Sequence, residues 1–453
     1  MKLSWKDKDF YRLMIAIALP ITLQNLIASS VNMLDTLMIT SLGEESLAAV
    51  GLANQVFFFY GVTVFGLATG SSIFIAQFWG KGDTTNIKKV LGLSLSIGSV
   101  VGFIFTLAAL FIPEQIMKIF SSDREVIILG IQYLRIVAFT YIITGFSFSY
   151  AIASRSIGQA KMPMVVSIIS FLTNGLFNYL LIFGKFGFPQ LGVRGAAYGT
   201  LIARVVELAL ILYSIYSGGG PLAGNIKEMT NWNKSFVKRY FKTTYPVVLN
   251  ESLWALGTVL YSIAYAKIGT EAAASVQILN TVQNLFMVML KGLGNACTIM
   301  IGNKIGAGKE DLAVEYANKY LIISTLLGLG LGIMLFFSSD LVLKAFRNLT
   351  PELHDTSKKL LKMLAIFFAI KAFNGTMIVG VLRGGGDTKF SMLLEMGAVW
   401  CIGVPLAFLG AIVFKLPVYY VTALVYTEEV VKAAIGIPRI TSKKWVTNVI
   451  EGI

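Results

Sequence analysis

LPITLQNLIASSVNMLDTLMITSLGEESLAAVG, residues 19–51, returns as YPVVLNESLWALGTVLYSIAYAKIGTEAAASV, residues 245–276, at a constant offset of 226. Pro20 falls on Pro246, Leu34 on Leu260, Gly43 on Gly269, Glu45 on Glu271 and Val50 on Val276, and the register continues to Asn54 on Asn280, Gly66 on Gly292, Gly80 on Gly306 and Gly82 on Gly308. Further along the offset becomes 228, which sets Arg155, Gly158 and Lys161 of SRSIGQAK on Arg383, Gly386 and Lys389 of LRGGGDTK. It then becomes 222, with Thr200 on Thr422 and Glu207 on Glu429. A chain built as two like halves in the same order is the plan of an alternating-access transporter, whose substrate site can lie between bundles that rock against each other.

Composition places both halves in a bilayer. Hydrophobic residues make up 56% of the 453, charged residues 14%, and the mean hydropathy is +0.73, too apolar for a soluble globular chain. Apolar runs long enough to cross about 30 Å of hydrocarbon recur twelve times. They fall near residues 12–42, 51–79, 90–112, 130–154, 163–184, 194–217, 242–268, 276–304, 316–338, 359–382, 390–414 and 417–436. The reading is an all-α polytopic membrane protein, with six helices in residues 1–217, a cytoplasmic linker over 218–239 and six helices in 240–453. A barrel would instead show short alternating segments of about ten residues.

The net charge of +14 is placed as the positive-inside rule places it. With the N-terminus inside, the inner segments and span ends hold 23 Lys and Arg (Lys2 and Lys6 among them) against 10 on the outer side (Arg347 among them). The asymmetry puts both termini in the cytoplasm, in a cytoplasmic (inner) membrane, and argues against nucleic acid as a partner. The first apolar stretch shows no small-residue cleavage site and reads as the first span.

Catalytic signatures are sparse, so an enzyme is not expected. His354 sits in the polar stretch NLTPELHD and reads as a surface loop residue. GAGKE at 306–310 lacks the first glycine of a phosphate loop, because Asn303 stands there, and Glu310 replaces the hydroxyl residue. Cys297 and Cys401 read as buried small hydrophobes. No cofactor is expected, and the driving energy is left to an ion gradient, a separate partner protein or a downhill substrate.

Ionisable groups inside spans carry a high cost and are the functional candidates. Asp35 and Glu251 are the leading carboxylates, and their counterparts in the other half are Tyr261 and Asn25. Arg204 and Glu207, three apart, can pair on one helix face. Glu428 and Glu429 have Lys432 one turn on, and with Arg135, Lys291, Lys371 and Glu395 they are further intramembrane charges whose pairing across helices sequence does not give. Asn174 and Asn178 are four apart and project from one face. With Asp35 and Thr200 they offer an oxygen set for ion coupling. A carboxylate among neutral oxygens suits sodium, while a carboxylate alone in an apolar pocket suits a proton. Proton and sodium at Asp35 both stay open on this reading.

The stretches already quoted, with GLATGSSIFIAQFWGKGD, SRSIGQAKMP and FNYLLIFGKFGFPQLGVRGAAYGT, resemble the multidrug and toxic compound extrusion (MATE) transporters over essentially the whole chain. The resemblance implies twelve transmembrane helices in two pseudo-symmetric six-helix lobes forming a V-shaped cleft. It also implies secondary antiport of cationic, amphipathic small molecules against sodium or proton entry. Asp35 matches the family's first-helix ion-coupling aspartate, and Asn174 and Thr200 match polar positions near it. Asn178 stands where one branch has a second aspartate, and with that acid missing the resemblance favours proton coupling, with sodium at Asp35 as the alternative. Trp254 stands where another branch has a seventh-helix glutamate, with Glu251 one turn earlier. Glu251, Trp254 and Tyr261 are thus expected to serve substrate or ion in the second half, and Pro20 and Pro246 to give the helices a place to bend. A flippase for lipid-linked oligosaccharide or phospholipid is the nearest alternative, and a passive channel or receptor the alternative from another class. The expected partners are organic cations and the lipid bilayer, with the monomer as the working unit.

Overall fold

The computed structural model describes residues 7–346 and 349–452. Lys2, Lys6 and Arg347, counted above in the charge asymmetry, lie outside them. The first half contains α1 (Lys8–Thr40), α2 (Glu44–Lys81), α3 (Thr84–Phe111), a short α4 (Pro113–Phe120), α5 (Arg124–Ser156), α6 (Lys161–Phe183) and α7 (Val193–Ser217). After a five-residue α8 (Ile226–Thr230) come α9 (Lys234–Ile268), α10 (Thr270–Gly306), α11 (Glu310–Leu343), α12 (Pro351–Arg383), α13 (Thr388–Val413) and α14 (Val418–Thr441). Eleven of these helices are long and apolar enough to cross a membrane. The last, α14, is long enough at 24 residues but carries Glu428, Glu429, Lys432 and Arg439.

Local chemistry sets the helix ends. Asp123 accepts from the backbone N–H of Glu125 at 2.8 Å to start α5, and Thr350 caps α12 with Pro351 at its first position. Gly43 and Gly269, the repeat pair between α1 and α2 and between α9 and α10, have φ of 111° and 151°, where a side chain would be strained. That one conformation serves both halves explains why glycine recurs at this offset.

The described residues form two compact units, Leu19–Thr244 and the remainder. The chain changes unit between Ala18 and Leu19 inside α1 and between Thr244 and Tyr245 inside α9. Both changes come two residues before a proline, Pro20 or Pro246, and they are again 226 residues apart.

In the first unit, α2, α3, α5 and α7 enclose a core around Tyr60, Tyr133, Leu134 and Tyr141. The Tyr60 hydroxyl donates to the Tyr141 carbonyl and Thr106 donates to Ala138 at 2.8 Å, which ties α2 and α3 to α5. Residues 218–239, expected as a linker, are partly helical. Asn225 and Glu228 form a reciprocal cap on α8, and Lys88 pairs with Glu228 at 3.1 Å. A Cβ at Gly92 would sit 2.0 Å from the Met229 carbonyl oxygen, so only glycine lets α3 meet this segment.

In the second unit, α10, α11, α12 and α14 surround Leu335, Leu360, Leu364 and Phe368. The first turns of α1 belong here. Phe10 is fully buried with its ring 4.8 Å from that of Tyr316, and Lys319 reaches Asp7 at 3.3 Å and Glu315 at 2.9 Å. The Phe10 N–H donated to Asp7, reinforced by Lys319, holds that carboxyl below its usual range. Three π-helical stretches, Thr376–Arg383, Val399–Gly403 and Leu409–Val413, interrupt α12 and α13. Such turns mark helices that accommodate side chains at functional sites.

Two expectations are corrected. His354 lies in the first turn of α12 rather than in a loop, because Thr350 and Pro351 start the helix before it. Cys401 is exposed while Cys297 is buried, since Cys401 falls on the outer face of the π turn Val399–Gly403. Exposed Phe103, Phe111, Leu172, Tyr213, Phe337 and Ile366 give the surface an apolar character suited to lipid.

Candidate transport site

Asp35 sits on α1, fifteen residues after Pro20, where an apolar helix brings it against α6. Its Oδ1 accepts from Asn178 Nδ2 at 2.5 Å. The same amide nitrogen lies 3.4 Å from Asn174 Oδ1, as the four-residue spacing predicts. Asn178 is fully buried, and its Oδ1 has no hydrogen-bond partner among the described residues. An orphaned buried carbonyl is costly, so it marks a place where a proton donor or a cation would be stabilised. Gly199 on α7 makes the contact possible, because a Cβ there would lie 2.0 Å from that oxygen.

Thr200, next along α7, is half-buried and meets the hydroxyl of Tyr133 on α5. Tyr133 also reaches Asn54 at 3.4 Å. Arg204, one turn further, pairs with Glu207 at 2.7 Å as the spacing predicts. Its guanidinium is near enough to act on Asp35 through space, yet it forms no ion pair with it among the described residues. The structure therefore brings Asp35, Asn174, Asn178 and Thr200 into one neighbourhood and adds Tyr133 and Arg204. Tyr133 carried no sequence signal, since one tyrosine among 18 is not distinguished by spacing.

The second unit uses its charges differently. Glu251 on α9 is held by Arg383 at 2.5 Å, and the other Arg383 nitrogen reaches Glu395 at 3.4 Å. Asn250 donates to the same Glu395 oxygen at 2.6 Å. Along α14, Lys432 pairs with Glu428 at 3.1 Å and lies 3.7 Å from Glu429, while Lys371 of α12 reaches Glu429 at 3.3 Å and stacks 4.4 Å above the Tyr426 ring. Asn374 adds a bond to Glu429 at 2.8 Å. Tyr261, the repeat counterpart of Asp35, donates to Glu428 at 2.6 Å. Gly403 in the second π turn leaves room for that pair, since a Cβ would lie 2.0 Å from the Tyr261 hydroxyl.

Glu251 and Tyr261 thus stand in a paired network, and Trp254 is 43% exposed on α9, outside it. Arg135 and Lys291 are exposed and form no ion pair among the described residues. Pro20 and Pro246 lie inside α1 and α9 as expected. No cluster of three or more His, Cys, Asp or Glu that would hold a metal occurs among the described residues.

A duplicated bundle of membrane-length helices, with Asp35 bonded to a neutral amide in one half and a network of ion pairs in the other, has the build of a polytopic membrane transporter. The chain belongs to the MatE family, whose model matches residues 20–180 and 246–409 and so spans both halves. It is 26% identical over 406 residues to a probable multidrug resistance protein NorM of Thermotoga maritima, covering 89% of this chain and 86% of that one. It is also 26% identical to an uncharacterized transporter, YisQ, of Bacillus subtilis, covering 91% and 90%. Among solved structures, a multidrug resistance MATE transporter in an outward-facing conformation superposes with a TM-score of 0.85 at 20% identity, over 95% of this chain and 96% of that one. The last comparison bears on the fold alone.

Proposed function

We propose that this MATE-family transporter is a secondary antiporter that exports cationic amphipathic small molecules against proton entry, with Asp35 as the proton carrier. The observation that carries the reading is the Asp35–Asn178 pair. A charged Asp35 accepts from the Asn178 nitrogen at 2.5 Å, leaving the buried Asn178 oxygen without a partner. A protonated Asp35 is a donor, and half a turn of the Asn178 carboxamide would present that oxygen to it. Each protonation state thus has its own hydrogen bond, and the exchange shifts the contact between α1 and α6. A sodium ion would need further oxygens from Asn174 and Thr200 at the same place, with one carboxylate to balance it.

The charge asymmetry supports cytoplasmic termini in the inner membrane, the apolar surface supports residence in lipid, and the working unit proposed is the monomer. Efflux from proteoliposomes with an imposed pH gradient and no sodium tests the coupling. Proton-driven efflux that is lost in Asp35→Asn is expected. Efflux that runs on a sodium gradient alone, and stops when choline replaces sodium, would overturn the proton assignment.

A further inference from the structure

The repeat pairs four residues of one unit with four of the other, and each set assembles around an arginine. In the second unit Arg383 is joined to Glu251 and Glu395, with Asn250 bonded to Glu395. At the offsets of 226 and 228 the counterparts are Arg155 for Arg383, Asn25 for Glu251, Ser167 for Glu395 and Gln24 for Asn250. The first unit reproduces the cluster: Arg155 donates to Gln24 Oε1, and Gln24 Nε2 donates to Ser167 Oγ at 2.8 Å. Both glutamates are absent. Arg155 forms no ion pair among the described residues, and its Nε–H is buried with no acceptor.

A guanidinium drawn out of water is stabilised by a counterion that fills its fork. Arg155 lies in the last turn of α5, where the helix carbonyls favour a cation. That contribution alone does not explain the arrangement, because its counterpart Arg383, also closing a helix, carries two carboxylates in addition. Gln24, Asn25, Ser167 and Arg155 are each half-buried, so a ligand can reach the cluster from one side. The Ser167 hydroxyl accepts from Gln24 and keeps its own proton to donate. Gln24 lies eleven residues before Asp35, roughly 16 Å along α1, so the two places are separate.

We propose that Arg155, with Ser167, binds a phosphate group in the position that Glu251 and Glu395 fill beside Arg383. A planar fork that matches two oxygens of one oxyanion is the chemistry Arg brings to phosphate. The end of a spanning helix is also where lipid headgroups lie. The group comes either from a phospholipid headgroup or from free phosphate. Because Gln24 is four residues past Pro20, its occupant fixes α1 just beyond the proline.

The test is the thermal midpoint of the purified full-length protein in detergent. It is measured with sodium gluconate, chloride or inorganic phosphate at one ionic strength, and separately with phosphatidylglycerol added to the micelles. The wild type is expected to rise by about 2–4 °C in a saturable way with at least one phosphate-bearing probe. Phosphatidylglycerol alone active identifies the headgroup, and inorganic phosphate alone active identifies the free anion. The double substitution Asn25→Glu, Ser167→Glu installs the acids of the other unit and is expected to abolish the rise, as is Arg155→Gln. No rise with either probe, a chloride effect equal to that of phosphate, or a rise retained in the double variant would overturn the site.

Discussion

On the proposed proton-coupled reading, with Asp35 as the one carboxylate of the first unit's site and Glu207 tied to Arg204 at 2.7 Å, one proton would be carried per cycle. Exchange of that proton for a monovalent organic cation moves no net charge. The membrane potential then contributes nothing, and each unit of pH difference supplies about 1.4 kcal/mol, a tenfold accumulation. For a neutral substrate the same cycle is electrogenic, and 100 mV adds about 2.3 kcal/mol, roughly fiftyfold. The assay is accumulation in proteoliposomes with the potential clamped by potassium and valinomycin, using a fluorescent monovalent cation. The steady ratio is expected to change tenfold per pH unit and to stay level as the potential is stepped. In Asp35→Asn it is expected to collapse to equilibration, although the asparagine keeps an oxygen for the Asn178 N–H and the protein remains folded. Accumulation of the monovalent cation that follows the potential, or accumulation that survives Asp35→Asn, would refute the single-carboxylate cycle.

Asn178→Asp sets a second carboxylate against Asp35, and two such groups cannot both stay charged without a cation between them. Efflux in this variant is expected to become sodium-dependent, measured by replacing sodium with choline. Gly199→Ala drives a methyl group to within 2.0 Å of the Asn178 oxygen, and overpacking of about 1–3 kcal/mol is expected, with gradient-driven efflux reduced more than the amount of folded protein on size exclusion. Arg383→Gln leaves Glu251 and Glu395 buried without a cation, an expected loss of about 3–5 kcal/mol read as a lower thermal midpoint; adding Glu251→Gln and Glu395→Gln is expected to restore most of it.

The two-half plan and the helices were legible in the sequence because each rests on a short-range or periodic signal, whereas the Asp35 neighbourhood was legible through the family resemblance, since Asp35 and Asn178 are 143 residues apart. A constant offset shows duplication, apolar length shows spans, and four-residue spacing puts Asn174 and Asn178 on one face. The charge network of the second unit was not legible. Its partners are 132 residues apart for Arg383 and Glu251 and 58 for Lys371 and Glu429, and helix packing alone decides which meet. The π turns left no mark either, since they arise from the register of α12 and α13 against their neighbours. Nor did the change of unit inside α1 and α9, because an unbroken helical pattern carries no sign of which bundle a turn packs on.

Divergence between the halves bears on where ions act. In the second unit the three cations Arg383, Lys371 and Lys432 are tethered to the chain, and each of Glu251, Glu395, Glu428 and Glu429 is ion-paired to at least one of them. Carboxylates already held by ammonium or guanidinium groups gain little from a mobile ion, because binding one would first break a buried pair. In the first unit Asp35 bonds a neutral amide, with the Arg204 guanidinium acting on it only through space, and Arg155 bonds a neutral amide, so neither is held in an ion pair. A free cation lowers the energy of one and a free anion that of the other. Since both grip the stretch of α1 beyond Pro20, occupation of either changes what holds that helix. This supports ion coupling in the first unit and a largely fixed scaffold in the second.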